Sequence, residues 1–208
     1  MKTYFIVNAC ILDSEPSLRD EQYKNGISKL IELTKDMENI QIIIVENNGA
    51  NQKYLEDYNS VNCTTFYTNN NRNIETGNIG IKELIDVINC INRFDIGDDD
   101  FIVKMNGRYV LNDDSEFIAA LKNMGEETHC IIKYGSYDTP LTYRTGECIS
   151  AIVGMRGKYA KQINIPRMEE KVENVWAAAS MAIDEQNIVM LEKLGINVCP
   201  GGNDYFLV

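Results

Sequence analysis

The chain has 208 residues, 44% of them hydrophobic and 25% charged, with 20 Lys and Arg against 31 Asp and Glu. A formal net charge of -11 argues against a general nucleic-acid or anionic-membrane binder, because phosphate surfaces demand a basic face. A small basic cluster inside a pocket stays compatible with that balance, and the size suits a single domain over 1–208 that folds without a disulfide or metal staple.

No apolar run approaches the roughly 20 residues of a membrane span. The opening segment reads as a buried strand and not as a secretory leader. Asn8 interrupts its apolar stretch, and Asp13 and Glu15 stand where small residues belong. A soluble, cytoplasmic protein is the expectation. The 6 cysteines are scattered without a C-x-x-C pair and read as reduced core thiols. With His129 the only histidine, a histidine-based triad or a multi-histidine metal site is excluded.

In chain order, TYFIVNACIL is a first strand, and Tyr23, Ile27, Leu30, Ile31 and Leu33 mark a helix after the acidic turn at 17–20. IQIIIVEN has the continuous β-branched character of a parallel strand buried on both faces. A short helix over 52–58 and the strand CTTFYT follow, then the polar stretch 69–78, read as a loop. The segment 79–94 is a helix with Ile81, Leu84, Ile85, Ile88 and Ile91 or Asn92 along one side. After GDDD come the strand FIVKM, the turn NGRY, and a helix from about Asp114 to Met124, with Asp113 and Asp114 as caps. HCIIKYGS and ECISAIVGMRG read as an antiparallel addition to the sheet. KYAKQINI is a short helix, Glu169–Ile183 a longer one, and the last one or two elements end the chain. Strands alternating with helices imply an α/β fold, with a mixed, mainly parallel sheet flanked by helices.

In such a sheet, ligands bind at the carboxyl ends of the strands. Three exits are unusually polar: Asn8-Ala9-Cys10, Glu46-Asn47-Asn48-Gly49 and Asn106-Gly107-Arg108. Turn chemistry accounts equally for the Asn and Gly residues there. Lys104 stands inside an apolar strand, which is costly unless it is paired with a carboxylate. Together with Arg108 it also suits a cationic clamp on a diphosphate, with Gly107 admitting the ligand close to the backbone. The Gly77-x-x-Gly80 spacing lacks both the Rossmann and the P-loop fingerprints, although a helix N-terminus there favours an anion. Asp98-Asp99-Asp100 precedes its strand and therefore belongs to the opposite edge, as a solvated turn. Glu170 and Glu173, at i, i+3 spacing at a helix start, are either dipole partners or candidate general bases. Tyr134, Tyr137, Tyr143 and Arg144 decorate a loop suited to substrate contacts or simply to the surface.

This order of signals resembles the nucleotide-sugar transferase fold called GT-A. More narrowly it resembles small glycosyltransferase-like proteins with a K-x-x-G-R-Y signature, here Lys104 to Tyr109. The resemblance implies a hexosyltransferase-like enzyme that moves a sugar from a nucleoside-diphosphate sugar to a glycan or other hydroxyl acceptor. Asn8, Ala9, Glu46 and Asn47 would hold the nucleoside, with Asn78 and Gly80 in an N-x-G-x-x-E loop-helix element. Lys104, Asn106, Gly107 and Arg108 would face the diphosphate, and Glu173 or Glu170 would be the base. At the place of the family's metal-binding D-x-D this chain has Asn106-Gly107-Arg108. A divalent Mn or Mg cofactor therefore loses its expected ligands, and the fixed cations could replace it. The rival readings are a nucleotidyltransferase, which would want a glycine-rich basic loop that 8–16 lacks, and a GT-A-like binding module with a decayed site.

Overall fold

The computed structural model describes residues 1–11, 18–49, 53–137, 141, 143–199 and 204–208. Asp13, Glu15 and the start of the 52–58 helix lie outside the described residues.

Strands β1 (Thr3–Ala9), β2 (Ile40–Glu46), β3 (Cys63–Tyr67) and β4 (Phe101–Asn106) form a parallel block. Along it lie helices α1 (Leu18–Thr34), α2 (Lys53–Glu56), α3 (Asn70–Asn73) and α4 (Ile79–Arg93). The chain continues through β5 (Val110–Leu111), α5 (Glu116–Lys122), β6 (Cys130–Ile132), β7 (Ile152–Arg156), α6 (Gly157–Ala160) and α7 (Val172–Ser180). It ends with β8 (Ile188–Met190), β9 (Ile196–Val198) and β10 (Phe206–Leu207). The main sheet has seven strands in the order β3-β2-β1-β4-β7-β6-β8, and β10-β9-β5 make a second, small sheet. β7 pairs antiparallel with both β4 and β6, so the added hairpin joins at β4 and β8 takes the edge. The α/β class with a mixed, mainly parallel sheet is thus the observed one.

Period-2 alternation divides the strands between two cores. Phe5, Val7, Ile42, Ile44, Val103 and Met105 face α1 and α5, whereas Ile6, Ile43, Val45, Ile102 and Val153 face α4 and α7. The same alternation sets Asn8, Lys104 and Asn106 on the α4 side of their strands. Parallel register then aligns Asn8 with Asn106 and Ala9 with Glu46, which brings the polar exits to one edge.

Several local expectations change. The stretch 69–78 is not wholly a loop, since Asn70–Asn73 winds one helical turn. Ser115, not Asp113 or Asp114, caps α5: its side chain accepts from the Ile118 N–H. The hydroxyl sits one residue nearer the first turn and is itself anchored on the Leu194 carbonyl at 2.8 Å. On α4, Asn92 is exposed and Ile85 and Ile88 are only half-buried, while Glu83 and Asp86 are buried with Leu84, Val87 and Cys90. The stripe facing the sheet is therefore partly charged. The segment predicted as a strand from Glu147 reaches β-structure only at Ile152, apart from one bridge from Cys148 to Tyr134.

Candidate active site

A cavity of about 340 Å³ opens at the carboxyl edge of the parallel block. Its walls come from the exits of β1, β2 and β4, the first turns of α1, α4 and α7, and the segment before β7. Of the residues singled out in the sequence, Asn8, Ala9, Asn47, Lys104, Asn106, Arg108 and Glu173 line it. Glu46, Asn78, Gly107 and Glu170 do not.

The four outside the lining have visible positions. Glu46 is completely buried, and its Oε1 accepts from the Ile11 and Asn48 N–H groups at 3.0 Å each, tying the β1 and β2 exits together. Gly107 donates its N–H to the Asn8 carbonyl at 2.9 Å, fastening the β4 turn to β1. Asn78 caps α4 and donates to the Met168 and Glu170 carbonyls at 3.1 and 2.8 Å. Glu170 lies before the N-cap of α7, so it shares no helical face with Glu173. It is exposed and lines a separate outer groove beside Asn174 and Tyr159.

Asn78 and Gly80 together set the approach of α7 to α4. A Cβ at Gly80 would come within 2.6 Å of Val172 Cγ1, so only glycine allows this contact. One residue later, Glu173 enters the cavity and its Oε1 accepts from Ser150 Oγ at 2.8 Å.

Lys104 is in the wall, but its charge is committed. Nζ lies 2.7 Å from Glu83 Oε2 and donates to the Ser150 carbonyl at 2.8 Å. Glu83 Oε1 accepts from Asn106 Nδ2 at 2.9 Å, and Asn106 Oδ1 accepts from the Arg108 N–H at 3.2 Å. Of the two readings the sequence left open for Lys104, the carboxylate pairing is the one observed, and the paired lysine borders the cavity. Arg108 is half-buried, and among the described residues its guanidinium makes no ion pair. Arg19, at the start of α1, is a second arginine in the lining, with Nη1 3.5 Å from the Cys10 carbonyl. The sequence reading missed it, along with Ser150 and Asn71; Arg19 carried no motif, and its neighbours Asp20 and Glu21 masked it as part of an ordinary charged first turn. Tyr137 lines the cavity, whereas Tyr134 is completely buried against Ser180, and Tyr143 is exposed outside the lining.

Asn8 and Asn47 share one feature. Asn8 Nδ2 donates to the Glu83 carbonyl at 3.3 Å, and Asn47 Nδ2 donates to Asp86 Oδ2 at 2.8 Å. Each amide nitrogen is thereby committed, and each Oδ1, buried, has no hydrogen-bond partner among the described residues. Buried acceptors of this kind are rare in folded proteins and call for a donor.

At the 106–108 turn the donor set does not fit a divalent cation. Both ends of the Asn106 amide are engaged, the third residue is a cation, and Glu83 is neutralised by Lys104. Among the described residues no three His, Cys, Asp or Glu side chains converge as a metal-binding group. Asp98 and Asp100 lie at the opposite edge, bonded to Lys161 and to the Lys2 and Gly97 N–H groups. The cysteines are unpaired thiols; Cys10, half-buried, is the one in the cavity lining, and burial pushes its thiol above the usual range.

The mainly parallel sheet flanked by helices is a GT-A-like fold. Among solved structures, the chain is similar to the mannosyltransferase PcManGT from Pyrobaculum calidifontis in complex with GDP-Man and Mn2+, with a TM-score of 0.58 and 7% identity over 92% of this chain. Similar folds occur in residues 1–349 of S. aureus TarS, with a TM-score of 0.59 and 13% identity, and in a protein assigned by name as a nucleotide-diphospho-sugar transferase from Desulfovibrio desulfuricans G20, with 0.54 and 11%. Each match covers 92% of this chain, which spans 56%, 58% and 80% of the Pyrobaculum, S. aureus and Desulfovibrio chains. At these identities the likeness is one of fold. The sequence matches no protein-family model and no curated protein.

Proposed function

We propose that this chain is a glycosyltransferase that uses a nucleoside-diphosphate sugar and a hydroxyl acceptor. One observation carries the reading: the cavity at the strand exits is lined by two asparagines whose buried amide oxygens lack donors among the described residues, by a pair of arginines and by a carboxylate. The amides suit a nucleoside, which brings N–H and O–H donors. Arg108 and Arg19 suit the diphosphate, in a protein whose net charge of -11 would otherwise repel it.

In this reading Glu173 accepts the proton of the acceptor hydroxyl as its oxygen attacks the anomeric carbon. The bond from that carbon to the diphosphate oxygen breaks, and Arg108 with Arg19 takes up the charge on the departing nucleoside diphosphate. Ser150 holds Glu173 in place. Lys104 bonds the Ser150 carbonyl and is neutral overall with Glu83, so it shapes the wall and leaves the charge compensation to the arginines. No step is assigned to a metal, because the residues at the 106–108 turn do not fit one. That same departure favours a second reading, a nucleotide-sugar-binding module without turnover.

The test is a thermal-shift screen against UDP-, GDP-, CMP- and dTDP-sugars, with and without Mn2+, followed by detection of released nucleotide in the presence of acceptors. Stabilisation with release supports the enzyme, and stabilisation without release supports the binding module. No stabilisation by any donor removes both.

A further inference from the structure

Asp86 is completely buried on α4, and nothing in the proposed chemistry uses it. Its Oδ1 accepts from Asn70 Nδ2 at 2.6 Å and Thr68 Oγ1 at 3.2 Å; its Oδ2 accepts from Asn47 Nδ2 at 2.8 Å. These donors belong to the chain leaving β3 and the chain leaving β2. An ionised carboxylate only accepts, so Asn47 must turn its nitrogen to Asp86 and keep its oxygen for something else. That oxygen is the one unpartnered among the described residues, on a residue that lines the cavity.

We infer that Asp86 is a specificity-determining positioning residue: by holding the Asn47 nitrogen it presents the Asn47 oxygen to the ligand, and so selects a nucleobase that offers a ring N–H. Uracil and guanine have such an imide or lactam N–H. Cytosine and adenine carry a bare ring nitrogen at the corresponding position, which would leave two acceptors facing each other. The inference rests on the nucleotide reading above and names the base class for that site. Asn8 poses the same geometry, but its nitrogen is held by the Glu83 main-chain carbonyl, which no side-chain change reverses. Asp86 is the member of the pair that can be switched. Asp86→Asn keeps an oxygen for Asn70 and Thr68 but puts an NH2 group where Oδ2 was. Asn47 must then turn its amide over and donate outward.

The test measures the Kd of UDP, GDP, CDP and ADP by titration calorimetry on the wild-type protein, Asp86→Asn and Asn47→Ala. The wild type should hold UDP about tenfold or more tighter than CDP, or GDP tighter than ADP by the same margin, and which pair responds identifies the base. Asp86→Asn should reverse that ratio, and Asn47→Ala should bring it near one. Reversal is a signature that mere loosening of the fold cannot produce. Should Asp86→Asn fail to fold, collapse of the ratio in Asn47→Ala supports the inference and an unchanged ratio overturns it. A wild type without the preference, or an Asp86→Asn protein that keeps it, overturns the role of Asp86 and leaves nucleotide binding standing. Binding of none of the four by the wild type sinks both.

Discussion

Lys104 Nζ lies 2.7 Å from Glu83 Oε2, with side chains only 3% and 12% exposed, in the wall of the candidate site. Strand β4 contributes the cation and helix α4 the anion, so the pair joins sheet to helix beneath the cavity. Removing one member strands the other as a buried charge, which costs about 3 kcal/mol. Lys104→Met should lower unfolding stability by that order. Adding Glu83→Gln, which keeps an oxygen for Asn106, should recover most of it, and denaturant unfolding of the two singles and the double measures the coupling. Additive losses would mean that the pair contributes little.

Arg108 should matter to ligand and not to fold, because its guanidinium makes no ion pair among the described residues. Arg108→Ala should weaken binding of nucleoside-diphosphate sugars by about tenfold or more while leaving the melting temperature of the unliganded protein within a degree or two. Equal donor binding in the variant would place the diphosphate elsewhere.

Glu173 and the glycine that positions its helix make a separable pair. Glu173→Gln should spare donor binding and reduce transfer by about a hundredfold or more, in line with loss of a general base. Gly80→Ala forces the α4 and α7 starts apart, because its Cβ would meet Val172 Cγ1 at 2.6 Å. Transfer should fall further than donor affinity. Single-turnover rates alongside donor titrations separate the two effects, and undiminished transfer in Glu173→Gln would move the base to another residue.

Asp86 gives stability a pH dependence. Burial raises its carboxyl to about 6, while the Asn47, Asn70 and Thr68 donors pull the other way. A carboxyl whose folded-state pKa is raised favours folding below its unfolded value, and that contribution is lost as pH climbs through about 6. Relative to Asp86→Asn, the wild type should therefore lose about 1 kcal/mol of stability between pH 5 and pH 7.5. Denaturant midpoints of both proteins at the two pH values measure it; a constant difference would mean that the carboxyl is not so shifted.

Gly26 couples the fold to the site from the far side. A Cβ there would run into the main-chain oxygens of Gly107 and Tyr109, the turn that carries Arg108. Gly26→Ala should destabilise by about 2 kcal/mol, as overpacking against backbone does, and should also weaken donor binding through the displaced turn. Chemical unfolding and donor titration of one variant read both effects.

Local pattern was enough to reveal the α/β class, the parallel block and its polar exits, because a strand buried on both faces has to be continuously apolar until it leaves the sheet. It was also enough to mark Lys104 as a buried cation needing either a carboxylate or a diphosphate, Arg108 as a cation at a strand mouth and Glu173 as an acid at a helix start. What no local pattern carries is the partner. Glu83 stood in the sequence only as the last letter of the N-x-G-x-x-E element and Asp86 carried no signal at all; packing of α4 on the sheet turned both inward, onto Lys104, Asn106 and Asn47. Glu46 looked like a site residue and became a staple between two loops, since its acceptors were claimed by main-chain N–H groups that folding brought near. Arg19 entered the site from a segment without a motif. The sequence alone determines which residues must leave water; which charge or amide each of them meets depends on contacts across distant stretches of chain, and those exist only once the layers have packed.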